Sequence, residues 1–599
     1  MKKSSNFTAK LTGLRNLMAE QKLDAYIIPT ADPHQSEYVP DRWAHRIWIT
    51  GFTGSAGTAI VTHKHAGLWT DARYFLQAEQ ELPGSGFELH RLKVQTQAEY
   101  LDWLCQNLKP GQVVACDFWC FSYAQLRMFD QTLSAHQLVL KDSGDLMDLL
   151  WEDRPGLPLG PVYEHLPKFA GAKREDKLKR LRNALNWKKT DYLVLSALDE
   201  IAYLLNLRGS DVRCNPVFLA YMVVSKEWAG LFISPEKLSP ALKQKLMDAS
   251  VEVIDYQKLE SFLKELNPEA RIQFDPSGLN AKLALRFQPK AIVEDSSPVM
   301  WMKAIKNEKE RQHIRNAMEK DGVALVKSFM WLEKTLKKGK TPMESEFAQY
   351  IALCRSQQAH YVGESFDAII GYNANGAIIH YKPDVQSSAK IKAKGILLVD
   401  CGGQYLDGTT DITRTIALGK TNRAYKQQYT AVLLGHIALA QVKFPEGTKG
   451  IQLDAFSRQY LWNLGLNFGH GTGHGVGYFM NVHEPPQGFV SAWNQRGQTP
   501  MQEGMLTSNE PGYYQEGHYG IRIENLVLNV LDSRHQDQRY LRFETVSLFP
   551  IETTHLDHSM MHKSAVIWLN DYHREVYKRL SPHLDAAEKK WLKVKCKAI

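Results

Sequence analysis

The sequence predicts a multidomain α/β protein in which two related α/β domains precede a third, mixed α+β domain. Three observations lead there. The 599 residues exceed the roughly 250–300 at which a single hydrophobic core stops growing. The Pro/Gly-rich run "DRPGLPLGPVYEHLP" breaks both periodicities and marks a boundary near residue 158. On either side of it, "WITGFTGS...AIVTHKHAGLWT" and "IAYLLNLRGSDVRCNPVFLAYMVVSKEWAGLFIS" follow one order: apolar run, Gly/Ser turn, apolar strand, charged turn, apolar strand. That order hints at duplication of one fold.

The elements follow in turn. Leu11, Leu14, Leu17 and Met18 have helical spacing and lead into the strand-like "AYIIP". "RIWITGFTGSAGTAIVTHKHAGLWTD" reads as a turn and then two short strands joined around His63 to Ala66. After the boundary, "KREDKLKRLRNAL" starts a new helix. A third unit begins around Lys306, where Ile314, Met318, Leu325, Phe329 and Leu332 mark a long amphipathic helix. "TPMESEF" predicts another, with Thr341 as N-cap, Pro342 at the first helical position and Glu344 closing a capping box. "GILLVDCGG", "DITRTIALG", "MLTSNEP" and "IRIENLVLNV" read as strands. The expected domains are 1–158, 159–305 and 306–599.

Composition narrows the class. With 44% hydrophobic and 23% charged residues the chain is of the globular type. The net charge of +8 is a small difference between 73 basic and 65 acidic residues mixed along the chain. Only "KKWLKVKCKAI" concentrates basic residues, and it reads as an amphipathic terminal helix. No nucleic-acid partner is expected. The first residues lack the apolar run of a secretory signal, and no stretch approaches the roughly 18 apolar residues of a membrane span. Seven cysteines, an odd number, predict reduced thiols in a cytoplasmic protein; Cys116 and Cys120 are close but lack a partner pair.

The chemistry concentrates in the third domain. "LLVDCGGQYLDGTTDITRT" is a hairpin signal, and a turn centred on Tyr405 and Leu406 sets Asp400 opposite Asp411. Like charges directly opposed, with Cβ atoms about 4.5–5.5 Å apart, repel unless a cation lies between them. A different register, or one aspartate facing solvent, would remove the need for it. A second acidic pair follows, with Glu510 closing one strand and Glu524 inside the next. Alternation places Ile521 and Ile523 on one face and Arg522 and Glu524 on the other. Buried carboxylates need a partner or a metal. Four carboxylates and a histidine suit two divalent cations, Mn²⁺ most naturally, with Co²⁺ or Zn²⁺ as alternatives. Such a pair can hold a water between them as a nucleophile near neutral pH.

"GHGTGHGVGYFMNVHEPP", residues 469 to 486, places glycine at alternate positions from Gly469 to Gly477. It fits neither the phosphate loop nor the dinucleotide fingerprint, and HExxH and GxSxG are absent. If extended, it aligns His470, Thr472, His474 and Val476 on one face. The glycines then allow close backbone approach, and one or more of the histidines can reach the carboxylates.

Taken in order, Asp400, Asp411, His474, Glu510 and Glu524 resemble the metal set of the creatinase-like, pita-bread metallopeptidases (M24B). The strings "DGTTDITRT", "GHGTGHGVG", "NVHEPP" and "SNEPGYY...GIRIEN" resemble those of the family's cytosolic, three-domain X-prolyl aminopeptidase branch. So do "DPHQSEY", "GFTGSAGTA" and "WTDARYFLQAEQEL" in the first domain and "NLRGSDVRCNPVF" in the second, so that nearly the whole chain is covered. The resemblance implies two related creatinase-N-like α/β domains followed by a C-terminal pita-bread catalytic domain.

It also implies roles. Asp400 and Asp411 would hold the first metal, with Asp411 bridging to the second; His474 and Glu510 would hold the second, and Glu524 would bridge. Glu510 would be the general acid/base, taking a proton from the bridging hydroxide's parent water and delivering it to the leaving proline nitrogen. His380 and His483 would contact substrate and stabilise the tetrahedral intermediate. His470 would line the pocket, and Arg522 would lie behind the ligands or on the substrate side. The implied reaction is hydrolysis of the N-terminal Xaa-Pro bond of peptides with proline second, by a homodimer. Cys401 departs from the Ser or Ala expected after Asp400, and reads as a buried thiol with oxidation sensitivity as the alternative. "HLDHSMMH" reads as a helix start, although His555, His558 and His562 could in principle bind metal. The rivals are a prolidase-type Xaa-Pro dipeptidase, a methionine aminopeptidase, which the long duplicated extension opposes, and a non-catalytic pita-bread binding module, a class that loses metal ligands.

Overall fold

The computed structural model describes residues 2–94, 97–287, 292–383 and 388–599. The chain divides into two compact units, one formed by 1–165 with 172–299 and the other by 166–171 with 300–599. Among the described residues no helix is long and apolar enough to cross a membrane.

The first unit holds two six-stranded sheets. In chain order, the first sheet is Ala25–Ile28, Thr58–Thr62, Ala66–Thr70, Glu88–Arg91, Val113–Cys116 and Val139–Asp142. The second is Tyr192–Leu195, Tyr221–Ser225, Ala229–Phe232, Val251–Ile254, Ile272–Phe274 and Ile292–Glu294. Numbered by chain position, both sheets run 4-3-2-1-5-6 in space. The first strand is antiparallel to the second and parallel to the fifth in each. The remaining pairings also match in direction, strand by strand. The order hinted at by sequence is therefore a complete topological repeat. The helix Lys2–Glu20 buries Leu11, Leu14 and Met18 against the first sheet's core. "RIWIT", expected as part of a turn, is instead the end of a short helix, His45–Thr50, closed by Gly51 at φ 76°. Its Arg46 is buried because it donates to the carbonyls of Phe52 and Gly54 that follow the helix.

The second unit is mixed. Ile369–Tyr372, Ile396–Cys401 and Ile412–Ala417 form an antiparallel three-stranded sheet. A six-stranded sheet runs Lys443–Pro445, Gln538–Thr545, Asn525–His535, Leu506–Asn509, Gly473–Gly475, Glu484–Phe489. The 30-residue helix Glu308–Lys337 buries Ile314, Met318, Leu325, Phe329 and Leu332, as its periodicity predicts. Ala586–Lys595 is the terminal helix, and His562 caps the helix Lys563–Leu580 by accepting from the Ala565 amide.

One helix start is corrected. The helix expected to begin at Pro342 runs Glu344–Ser356, with Met343 rather than Thr341 at its N-cap. Glu344 closes no capping box. Its buried carboxylate instead accepts from the Tyr372 and Ala389 amides, from Asn375 and from the Tyr381 hydroxyl. Glu346 takes the capping position, accepting from the Met343 amide at 2.7 Å. The Tyr372 and Ala389 amides have the stronger claim on Glu344.

Arg414 ties the two sheets together. Its buried guanidinium donates to the carbonyls of Pro550, Thr413, Glu524 and Phe549, to Asn525 Oδ1 and to the Tyr572 hydroxyl. Without it these buried acceptors lose a charged donor, although Thr413, Phe549 and Asn525 keep other partners, and bonds to a charged donor are worth about 1.5–3 kcal/mol apiece. Arg414→Ala is therefore expected to destabilise this unit by at least about 3 kcal/mol, read as a lowered thermal midpoint of the full chain. An unchanged midpoint would mean the network is dispensable.

Candidate active site

The carboxylates arrive from several segments. Asp400 lies in the strand Ile396–Cys401, and Asp411 immediately precedes Ile412–Ala417. The expected direct opposition of these two is corrected: Asp400 pairs with Thr413, and Cys401 with Ile412. The turn falls at Leu406 and Asp407, because Tyr405 pairs with Gly408. Moving the turn one residue along shifts every pair by two, which preserves the face. Asp411 thus remains on the side that Thr413 and Thr415 occupy.

Glu510 follows the strand Leu506–Asn509, and Glu524 sits in the short break between Tyr519–Arg522 and Asn525–His535 rather than inside a strand. The alternation around it is as expected. Ile521 and Ile523 join the hydrophobic core, while Arg522 and Glu524 turn toward the acidic residues. Thr413 Oγ1 donates to Glu524 Oε2 at 2.7 Å, and the Glu524 amide donates to the Thr413 carbonyl.

Of the glycine–histidine stretch, Gly473–Gly475 is strand, and its last three residues, Glu484 to Pro486, open the strand Glu484–Phe489. A Cβ on Gly473 would lie 1.8 Å from the Ser508 carbonyl oxygen, and one on Gly475 2.2 Å from that of Glu484. Glycine is obligatory there, as the close approach predicted from sequence requires. It lets the His474 amide donate to Ser508 Oγ at 2.9 Å, while that hydroxyl donates to Glu510. The expected single face is broken at its middle. Thr472 bonds Asp454 and Val476 enters a separate apolar cluster, whereas His470 and His474 reach the acidic site.

Ligand atoms of Asp411, His474 and Glu524 all lie within 4.8 Å of one another. His474 Nε2 is 3.2 Å from Glu510 Oε1 and 3.7 Å from Asp411 Oδ2. Arg522 Nη2 donates to Asp400 Oδ2 at 2.5 Å. The His483 ring meets the His474 ring edge-on at 4.3 Å. His470 Nε2 lies 2.8 Å from the Tyr514 hydroxyl, which also accepts from Arg522 Nη1 at 2.7 Å. His380 is half-buried and follows Ile379, whose carbonyl accepts from Arg522.

The electrostatics of the cluster call for compensating positive charge. Burial, opposed by Arg522 and reinforced by Glu510, raises the Asp400 carboxyl above its ordinary range. Burial and the neighbouring carboxylates push Asp411 and Glu524 well above theirs. Glu510 runs the other way: burial favours its neutral form, but the hydrogen bond and charge of His474 outweigh burial and draw it down to about 2. Asp400 Oδ1, Asp411 Oδ1 and Glu524 Oε1 are buried without a hydrogen-bond partner among the described residues. Orphaned carboxylate oxygens from three residues beside an imidazole are the donor set of a divalent metal centre.

Cys401, although next to Asp400 in the chain, packs into the hydrophobic core. Burial raises its thiol strongly, and Arg355 donates to its sulfur at 3.3 Å, so it stays protonated and packed.

The comparisons match this geometry. The model of metallopeptidase family M24 matches residues 312–529 and that of the C-terminal region of this peptidase 539–599. Models of the creatinase/prolidase N-terminal domain match 10–150 and 153–310. Aminopeptidase P2 of Arabidopsis thaliana is 40% identical over 97% of this chain and 87% of its own length. Xaa-Pro aminopeptidase 1 of Dictyostelium discoideum is 38% identical over 98% and 96%. The crystal structure of X-prolyl aminopeptidase from Caenorhabditis elegans, a cytosolic enzyme with a di-nuclear active site, superposes with a TM-score of 0.95. It is 35% identical, and the match covers 99% of this chain and 100% of that one. Fold and site together define a metallopeptidase with creatinase-like N-terminal domains and a pita-bread domain. The chain belongs to metallopeptidase family M24.

Sequence reasoning missed the residues that hold this site. Thr413 could have been found by counting forward from Asp411 in steps of two; Tyr514 and Ser508 carry no such signal.

The raised carboxylates fix a sign. Their folded pKa values lie above their unfolded ones, so their contribution to stability is present below about pH 4 and is lost as pH rises through the folded values. Glu510 contributes in the opposite sense, fully present above its ordinary 4.5 and lost only as pH falls toward about 2. Above neutrality the crowded groups dominate. In the metal-free protein at pH 8, Asp411→Asn is expected to raise the melting temperature by about 2–4 °C, the shift for roughly 1 kcal/mol, and to diminish the further rise expected of the parent on adding a divalent cation. A lowered melting temperature would contradict the repulsion.

Proposed function

We propose that this chain is a metal-dependent aminopeptidase that removes the N-terminal residue from peptides carrying proline at the second position. The observation that carries this is the set of orphaned oxygens on Asp400, Asp411 and Glu524 beside His474, in a chain similar over almost its whole length to X-prolyl aminopeptidases. The reading takes the chain as three domains, 1–158, 159–305 and 306–599, acting as a homodimer in the cytoplasm.

Asp400, Asp411, His474, Glu510 and Glu524 would hold two divalent cations, Mn²⁺ by the preponderance of carboxylate oxygen. Bound there, such ions supply Lewis acidity and lower the pKa of a coordinated water toward neutrality. Asp400 is oriented by Arg522, which Tyr514 in turn holds. Glu524 is oriented by Thr413, and its backbone by Arg414. These contacts fix the ligand oxygens before any ion arrives.

The scissile nitrogen belongs to a proline ring, so it offers no N–H, and the ring restricts the residue before it. The leaving nitrogen must gain a proton as the bond breaks. Glu510, ionised at neutral pH and hydrogen-bonded by His474, takes a proton from the attacking water and delivers it to that nitrogen. His380 and His483 donate to the carbonyl oxygen as it becomes tetrahedral, and His470 and Arg522 bound the pocket. The low intrinsic basicity of His470, drawn down to about 4 by burial, keeps it neutral while it bonds Tyr514.

Glu510→Ala is expected to lower kcat by about a thousandfold or more and to reduce bound metal by one ion per chain. His380→Ala is expected to lower kcat by about a hundredfold or more with both ions retained, measured by metal analysis beside kinetics. Full activity in the Glu510 variant would overturn the assignment. Turnover of Xaa-Pro-Yaa peptides should exceed that of Xaa-Pro dipeptides; the reverse preference would make the chain a dipeptidase, and no hydrolysis by metal-loaded protein would make it a binding module.

A further inference from the structure

A second cluster of metal-ligating side chains lies in the first unit. The strand Glu88–Arg91 is the edge of its sheet and pairs with Ala66–Thr70 so that Glu88 lies beside Gly67 and His90 beside Trp69. Glu88 and His90 are two apart and therefore share a face. His65 ends the preceding turn, fixed by its amide, which donates to Thr62 Oγ1 at 2.9 Å, and by its carbonyl, which accepts from the Thr62 amide at 2.8 Å. The two imidazoles meet with Nε2 atoms 3.1 Å apart. Two nitrogens at the usual zinc distance of about 2.0–2.1 Å in a tetrahedral arrangement lie about 3.3 Å apart, so this spacing suits a shared ion. Ligand atoms of His65, His90 and Glu88 all lie within 4.8 Å of one another.

The rings are held in place. Trp69 stacks on His90 with centroids 3.9 Å apart at 11°, and Trp103 lies 4.7 Å from His65. The backbone leaves room for them only through glycine: a Cβ on Gly67 would lie 2.8 Å from His65 Nε2, 2.8 Å from His90 Cδ2 and 2.6 Å from Trp69. The Glu88 side chain is 76% exposed, so the cluster is open to solvent on the carboxylate's side.

We propose that His65, His90 and Glu88 bind a single borderline divalent transition ion, Zn²⁺ foremost, clamping the hairpin turn to the edge strand. Two imidazoles and one carboxylate favour Zn²⁺, Ni²⁺ or Cu²⁺ over Mn²⁺, whereas the oxygen-rich site of the second unit accepts Mn²⁺. The two sites are therefore separable by metal chemistry, and the inference stands whether or not the proposed activity does.

The test uses Mn²⁺-loaded protein equilibrated with a small excess of Zn²⁺, freed of unbound ions, and analysed for total manganese plus zinc per chain. The parent is expected to carry one ion more than the His65→Asn/His90→Gln double variant, with aminopeptidase activity equal in both. Ni²⁺ should quench the fluorescence of the adjacent Trp69 and Trp103 in the parent and not in the variant. Glu88→Gln, whose exposed side chain leaves folding intact, should weaken Zn²⁺ binding by about tenfold or more, and decides the matter if the double variant does not fold. Equal metal content in parent and double variant, or unaltered Zn²⁺ affinity in Glu88→Gln, would overturn the proposal and leave a hydrogen-bonded imidazole pair.

Discussion

The fold of the second unit is organised around an electrostatic conflict. Asp400, Asp411, Glu510 and Glu524 are brought together in the interior, three of them above their ordinary pKa range because burial and one another's charge oppose ionisation. No apolar packing argument would assemble them, since isolated buried carboxylates are among the least favourable groups a protein can fold around. The arrangement is stable in its working form only with compensating positive charge, and Arg522 provides it for one residue of the group.

Much of the surrounding structure serves to hold that conflict in a fixed geometry. Arg414 spends its donors on backbone carbonyls, including that of Glu524, and on Asn525 and Tyr572. Gly473 brings one strand so close to Ser508 that any side chain would collide with its carbonyl, and the same serine hydroxyl then links the His474 amide to Glu510. A metal site of this kind is preorganised by hydrogen bonds to the ligands as much as by the ligands themselves.

The sequence made some of this legible and hid the rest for identifiable reasons. Alternation around Ile521 to Glu524 is strict, so the division of faces there is read correctly from the chain alone. The duplicated N-terminal topology was visible as a shared order of apolar runs and turns, although only the sheets reveal that every pairing repeats. The hairpin register was misplaced by two because "QYLDG" offers more than one turn centre, and the one chosen by the fold pairs Tyr405 with Gly408. The helix start at Thr341 failed because a tertiary demand on Glu344 from distant amides overrode a local cap. Tyr514, which joins His470 to Arg522, lies far in sequence from one of its partners and left no periodic signature. Local patterns survive where neighbours in sequence are neighbours in space, and fail where long-range hydrogen bonds decide.

The claim on which the account rests is that two ions share these carboxylates. Electron paramagnetic resonance of the metal-free protein titrated with Mn²⁺ tests it directly. An exchange-coupled spectrum that grows to two ions per chain, with peptidase activity rising alongside it, is expected. A six-line signal of isolated Mn²⁺ that saturates at one ion per chain, with full activity, would contradict it.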